Sequence, residues 1–111
     1  MNYEVVISEN FKKEFKKMHK KYPSLKSDLQ LILDNIENEL KLATDLGSGF
    51  KKLRIQIKSK GKGKRGGGRI ITYETILAVD TTHIVFGSIY NKGEFENISI
   101  ELLKQIIDLS N

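Results

Sequence analysis

An α+β fold in the order β-α-α-β-β-β-α is expected for this chain, with a helical hairpin packed on a mainly antiparallel four-stranded sheet and a C-terminal helix. Three observations lead there. Apolar residues recur at helical spacing between Phe11 and Leu40 and again between Ile100 and Ile107. From Phe50 onward the period drops to two. Finally, 111 residues that are 39% hydrophobic and 30% charged suit one domain over 1–111 with enough apolar matter for a core.

Taken in order, Tyr3 to Ile7 is β-rich and reads as a short strand. Ser8 is a candidate N-cap, and Glu9 stands in the first turn where the helix dipole favours an anion. Phe11, Phe15, Met18 and Tyr22 then form an apolar stripe among lysines. Pro23 ends that helix, because the residue before proline is pushed out of the α region. Ser24 caps a second helix whose stripe is Leu25, Leu29, Ile32, Leu33, Ile36 and Leu40. So short a turn between helices favours an antiparallel hairpin. Asp45 to Gly49 reads as a turn-rich break.

Phe50 to Lys58 then alternates. Leu53, Ile55 and Ile57 share one face, and Lys52, Arg54, Gln56 and Lys58 share the other. Ser59 to Gly68 is a glycine and lysine loop, Arg69 to Val79 a second β run, and Asp80 to Thr82 a turn. His83 to Tyr90 is a third run. Asn91 to Ile98 is polar and irregular, and Ser99 caps the last helix.

Composition removes several classes of function. The chain has no cysteine, so disulfide scaffolds, thiol redox and cysteine nucleophiles are excluded, and a reducing, cytoplasmic setting fits. No apolar run approaches the roughly 18 residues that span a bilayer, and MNYEVVISEN lacks the pattern of a signal peptide, so no membrane association is expected. His19 and His83 stand apart from each other, and the carboxylates are scattered. Neither a metal site nor a paired-carboxylate mechanism is supported, and no cofactor is expected. The stretch Gly61 to Arg69 is not a phosphate loop of the Walker type, because the spacing is wrong and a strand follows rather than a helix.

Charge is distributed unevenly. Of 19 basic and 14 acidic residues, nine basic and no acidic ones fall between Lys51 and Arg69, so the net charge of +5 resides entirely in that window. Such a segment is an electrostatic footprint for a polyanion. Lys52, Arg54 and Lys58 project from one face of a strand, and Arg69 opens the strand that returns beside it. Fixed cations on a rigid sheet can hold a phosphate between several donors. This arrangement supports cleavage of RNA without a metal, the ribose 2′-hydroxyl attacking the adjacent phosphorus. Arginines would neutralise the non-bridging oxygens, and a lysine made less basic by cationic neighbours would serve as base. The structural alternative pairs Arg54 and Arg69 with Glu74 or Asp45.

The chain resembles the RelE/ParE superfamily of bacterial type II toxin–antitoxin modules, and more closely its RelE/HigB-type branch. The resemblance runs through FKKEFKKMHKKYPSLKSDL, LGSGFKKLRIQI, KGKGKRGGGRIITY and IYNKGEFENIS. It implies a ribosome-dependent mRNA endonuclease that arrests translation and is held inactive by a cognate antitoxin, with ribosome and mRNA as further partners. It also implies catalytic roles for Lys52 and Arg54, for Arg69 in the Gly-Gly-Arg step, and for Lys92 after Tyr90. Some RelE members carry a tyrosine near the start of the last helix. Here that stretch is Phe95-Glu96-Asn97-Ile98-Ser99. Tyr73 and Tyr90 are candidate substitutes, and Phe95 can only stack on a base. Lys51, Lys58, Lys60, Lys62, Lys64 and Arg65 are expected to contact the RNA backbone. The competing readings are a ParE-type DNA gyrase inhibitor without nuclease chemistry and a plain nucleic-acid-binding module.

Overall fold

The computed structural model describes residues 2–94 together with Lys104 and Gln105. The described elements run β1 (Asn2–Ile7), α1 (Glu9–Lys21), α2 (Leu25–Asp34), α3 (Ile36–Leu42), β2 (Thr44–Gly47), β3 (Phe50–Ile55), a 3-10 turn (Lys58–Lys60), the one-turn helix α4 (Gly63–Gly66), β4 (Gly68–Ala78) and β5 (Thr81–Asn91). The mixed α+β class is as expected. The sheet, however, has five strands in the order β1-β5-β4-β3-β2 rather than four. Its pairings are antiparallel except for β1 against β5, which is parallel.

The extra strand is β2, which lies where the sequence suggested only a break. Thr44 and Asp45 pair with Lys52 and Lys51, and the register then shifts before Gly47 meets Phe50. So short and irregular a strand leaves no alternation to read. The expected second helix is divided at Asn35, whose φ of −124° and ψ of 29° leave the helical region. The glycine and lysine segment is not simply a loop, since it contains the 3-10 turn and α4. β3 ends at Ile55 rather than Lys58, and β5 begins at Thr81, inside the expected turn. The expected C-terminal helix lies outside the described residues, apart from Lys104 and Gln105, which are helical.

Local chemistry explains how α1 is seated. The Ser8 hydroxyl accepts a hydrogen bond from the Phe11 backbone N–H at 3.1 Å, the cap geometry its position suggested. The same hydroxyl donates to the Gly87 carbonyl at 3.2 Å. Gly87 is the extra residue at a bulge in β5, where the pairing with β4 steps from Ile71–Ser88 to Thr72–Phe86. β1 pairs with β5 only as far as Phe86. Beyond it, side chains of α1 take over the strand's outer edge. Asn10 Nδ2 donates to Gly87 O at 3.0 Å, and Glu14 Oε1 accepts from Ser88 Oγ at 2.8 Å and Ile89 N at 3.3 Å.

The main core lies between the helices and one face of the sheet. Phe11, Met18, Leu25, Ile32 and Leu40 meet Leu53, Ile55, Ile57, Ile70, Ile84, Phe86 and Ile89 there. Phe11 stacks on Phe15 within α1 and meets Phe86 of β5 edge-on, at 6.2 and 5.7 Å between ring centroids, and the second contact seats α1 on the sheet. Met18 is a core residue and Phe15 packs half-buried against the core, as their spacing suggested. A second, smaller cluster of Phe50, Ile71 and Tyr90, with Leu46 and Tyr73, forms on the opposite face. The sheet thus presents its two faces to different environments, and Lys52 and Arg54 of β3 stand on the second.

Candidate functional site

The register of the sheet assembles the site. Arg54 on β3 lies directly opposite Arg69 on β4, and Arg69 lies directly opposite Tyr90 on β5. One lateral row therefore crosses three strands as Arg-Arg-Tyr. The next row on the same face is Lys52, Ile71 and Ser88. Directly opposed residues in an antiparallel pair have Cβ atoms about 5 Å apart, so Arg54 and Arg69 reach into the same space. Like charges opposed in this way destabilise a sheet. A fold retains such a pair most readily when something anionic is to be held between them.

The Arg69 guanidinium is fixed by the backbone around α4. Nη1 donates to Gly68 O at 2.9 Å and Lys64 O at 3.3 Å, and Nη2 donates to Arg65 O at 3.1 Å. Burial, and secondarily the charge of Arg54, push its pKa below the ordinary arginine value, while Tyr90 acts the other way. An arginine so shifted is still a cation at neutral pH. Burial raises the Tyr90 pKa, partly offset by Arg69, so its side chain remains a phenol. Arg54 is exposed, Lys52 and Arg69 are half-buried, and Tyr90 is buried.

Close packing of the backbone supports this row. A Cβ on Gly67 would stand 2.2 Å from Ile55 O, and one on Gly68 would stand 2.9 Å from Tyr90 O. Only glycine allows the segment after α4 to pass this close to β3 and β5. The Gly67 carbonyl in turn accepts from Lys92 N at 3.1 Å and Lys60 Nζ at 3.2 Å.

The other residues singled out in the sequence fall in several places. Lys92 is exposed in the turn after β5, two residues beyond Tyr90. Lys62, Lys64 and Arg65 are exposed on and beside α4. Tyr73 packs on Phe50, 5.0 Å between ring centroids, in the small cluster on the same face as Arg54. Lys58 is not in the Lys52–Arg54 row. It lies in the 3-10 turn, where its backbone N–H donates to Asp28 Oδ2 at 3.1 Å. Lys60 is turned inward, with Nζ 3.4 Å from Asn91 Oδ1 and 5.9 Å from the centre of the Tyr22 ring. Lys51 pairs with Glu74 at 3.3 Å, and Asp45 Oδ1 accepts from Gly47 N. Among the described residues neither carboxylate is paired with Arg54 or Arg69, contrary to the structural alternative. Phe95 lies outside the described residues.

One residue of consequence had no signal in the sequence. Glu39, at the buried edge of α3, holds Lys64 at 3.4 Å. Its position at the end of an apolar stripe gave no reason to connect it with a basic loop. Both residues line a cleft of about 340 Å³ that also borders Lys52 and Arg54. Among the described residues, no group of three histidine, aspartate or glutamate side chains is placed to hold a metal ion, and no helix is long and apolar enough to cross a membrane.

Fold and face together define a small α+β protein with an arginine row set across three strands. The family model of the RelE toxin of the RelE/RelB toxin–antitoxin system matches residues 10–111. The chain belongs to the RelE toxin family, and is thereby the toxin of a toxin–antitoxin module with a cognate antitoxin as partner. RelE-family toxins are generally ribonucleases that cut mRNA. No curated protein matches the chain.

Proposed function

We propose that this toxin is a ribosome-dependent mRNA endonuclease that stops translation in the cytoplasm, and that Lys52, Arg54 and Arg69 hold the scissile phosphate. The observation that carries the reading is the direct opposition of Arg54 and Arg69, with Tyr90 completing the row. Two guanidinium groups can donate to both non-bridging oxygens of one phosphodiester and stabilise the extra charge that develops there.

The ribose 2′-oxygen attacks the adjacent phosphorus in line. The P–O2′ bond forms as the P–O5′ bond breaks, leaving a 2′,3′-cyclic phosphate and a 5′-hydroxyl. The 2′-hydroxyl loses its proton and the departing 5′-oxygen gains one. Lys52 and Lys92 flank the row as further donors to the developing charge. Tyr90, kept as a phenol, orients Arg69 from the strand beside it. No histidine or carboxylate stands in the Arg54–Arg69–Tyr90 row or in the Lys52–Ile71–Ser88 row. Alignment of the message by the ribosome therefore supplies a large share of the acceleration, and free RNA is a poor substrate.

Lys62 and Arg65 extend the positive surface towards the RNA backbone, with Tyr73 and Phe95 as candidate stacking residues. The antitoxin is expected to silence the toxin by laying an acidic segment over this face. Expression of wild type and of an Arg54→Ala, Arg69→Ala double variant tests the reading, with transcript 5′ ends mapped by primer extension. Wild type should cut within coding regions and arrest growth, and the double variant should do neither. Growth arrest with intact messages and an induced DNA-damage response would instead indicate a gyrase poison and overturn the proposal.

A further inference from the structure

We infer that Glu39 and Lys64 form a tether that positions Arg69, making both residues determinants of the cleavage rate although neither touches the scissile phosphate. The inference rests on the reading of Arg69 as a phosphate-holding residue. It starts from the way Arg69 is held. Two of the three carbonyls that fix its guanidinium, Lys64 O and Arg65 O, belong to α4. The geometry of Arg69 is therefore only as well defined as the position of this single turn.

α4 has little of its own to stay in place. It spans Gly63–Gly66, buries none of its residues, and has no side-chain N-cap hydrogen bond. Gly61 and Gly63 on its N-terminal side both take left-handed φ values, 72° and 65°, in a segment where five residues of eight between Gly61 and Gly68 are glycine. An isolated turn of this length does not hold together by propensity. Its C-terminal side is anchored through Gly67, whose carbonyl binds Lys60 and Lys92. Among the described residues, the ion pair that joins α4 to the helical layer is Lys64 to Glu39.

The two partners are unequally exposed. The Glu39 side chain retains 11% of its accessible surface, whereas that of Lys64 retains 49%. A carboxylate largely removed from water needs a counter-charge, and Lys64 supplies it. The same lysine that gives its ammonium to Glu39 gives its carbonyl to Arg69. One residue thus links α3 to the arginine row. The cleft beside the pair opens towards Lys52 and Arg54, so displacement of α4 would be felt where the phosphate is held. Lys64, read from sequence as an RNA contact, is assigned here to position a neighbour instead.

The test is single-turnover cleavage of mRNA on programmed ribosomes, using wild type, Glu39→Gln, Lys64→Met, the double variant Glu39→Gln/Lys64→Met, and Arg69→Gln as reference. Circular dichroism and thermal melting accompany each protein, and Lys64→Met, altered at the more exposed partner, serves where Glu39→Gln folds poorly. The maximal rate should fall about tenfold in either single variant, because a misplacement near 1 Å is costly to an oriented reaction. Half-saturating toxin concentration and the salt dependence of binding should stay at wild-type values. The double variant should be no slower than the worse single, the non-additivity expected of one shared contact.

If Lys64 instead binds a phosphate directly, Lys64→Met alone will weaken binding and flatten its salt dependence while Glu39→Gln remains at wild-type rate, which would overturn the inference. Wild-type rates in both single variants would overturn it as well. Undiminished cleavage by Arg69→Gln is a separate result, and would remove the reading of the arginine row itself.

Discussion

Arg54 faces Arg69 across the β3–β4 ladder, and replacing it should make the protein more stable and less active at once. Like charges in directly opposed positions cost a sheet roughly 0.2–1 kcal/mol. Arg54 is exposed, so solvent screening places the relief near the lower part of that range. The Arg54 charge is also the second cause, after burial, of the depressed Arg69 pKa. For a chain of this size, relief of that order raises the melting temperature by about 1–4 °C.

Arg54→Gln removes the charge while keeping a polar side chain of similar reach. Thermal melts in low-salt buffer should show the increase. Salt near 1 M, where the screening length falls to about 3 Å, should erase it by raising wild type. Loss of one of the two guanidinium donors to the transition-state charge should lower cleavage by about 10²–10³-fold. Phosphate added to the wild-type protein should also raise its melting temperature, and do so less for the variant. A lower melting temperature for Arg54→Gln in low salt would refute the reasoning, since it would mean that Arg54 is held by favourable contacts.

Three further outcomes follow from the packing. Gly67→Ala should lower the urea midpoint by the equivalent of about 2 kcal/mol or more, because its Cβ would meet Ile55 O at 2.2 Å, a backbone atom that cannot turn aside. Phe11→Ala, at a site only 1% exposed, should cost about 3–5 kcal/mol in chemical denaturation, whereas Ser8→Ala should cost about 1 kcal/mol for its cap. Glu14 is held above the ordinary carboxylate pKa by burial, against the opposing effect of its hydrogen bonds. Its contribution to stability is therefore fully present below its unfolded value and declines as pH rises through the higher folded value. Glu14→Gln keeps the accepting Oε1 and should flatten that decline, so melts of the two proteins across pH 4 to 8 should converge at the acid end and separate with the variant higher at neutral pH.

What could be read from the sequence follows the range of the interactions involved. The α1 cap and stripe are local, and the structure has Ser8, Phe11 and Met18 in the roles their spacing suggested. The alternation of Leu53 and Ile55 against Lys52 and Arg54 likewise gave the two faces of β3. Parallel pairing of β1 with β5 is invisible locally, because it joins residues nearly eighty positions apart. β2 is too short to show a period, and the break at Asn35 interrupts a stripe that continues through it.

The candidate site divides in the same way. That Arg54 and Arg69 sit on neighbouring strands was legible in the sequence, whereas their direct opposition depends on a register set across the 3-10 turn and α4. The separate fates of the lysines were not legible. Lys51, Lys58 and Lys60 carry the same charge as Lys52 in the same window, yet Glu74, a 3-10 turn, and the Tyr22 and Asn91 side chains draw them elsewhere. Tertiary neighbours decide which cations remain available to a ligand, and a charge count cannot show them.

The claim that the arginine row grips a scissile phosphate is tested most directly by the chemistry of the cut ends. Purified toxin should be given mRNA in the decoding site of programmed ribosomes, and both products isolated. The account predicts a 2′,3′-cyclic phosphate upstream and a 5′-hydroxyl downstream, formed by wild type and lost in Arg69→Gln. Uncut message under conditions where wild type still halts growth, or the same products at the same rate from Arg69→Gln, would contradict it.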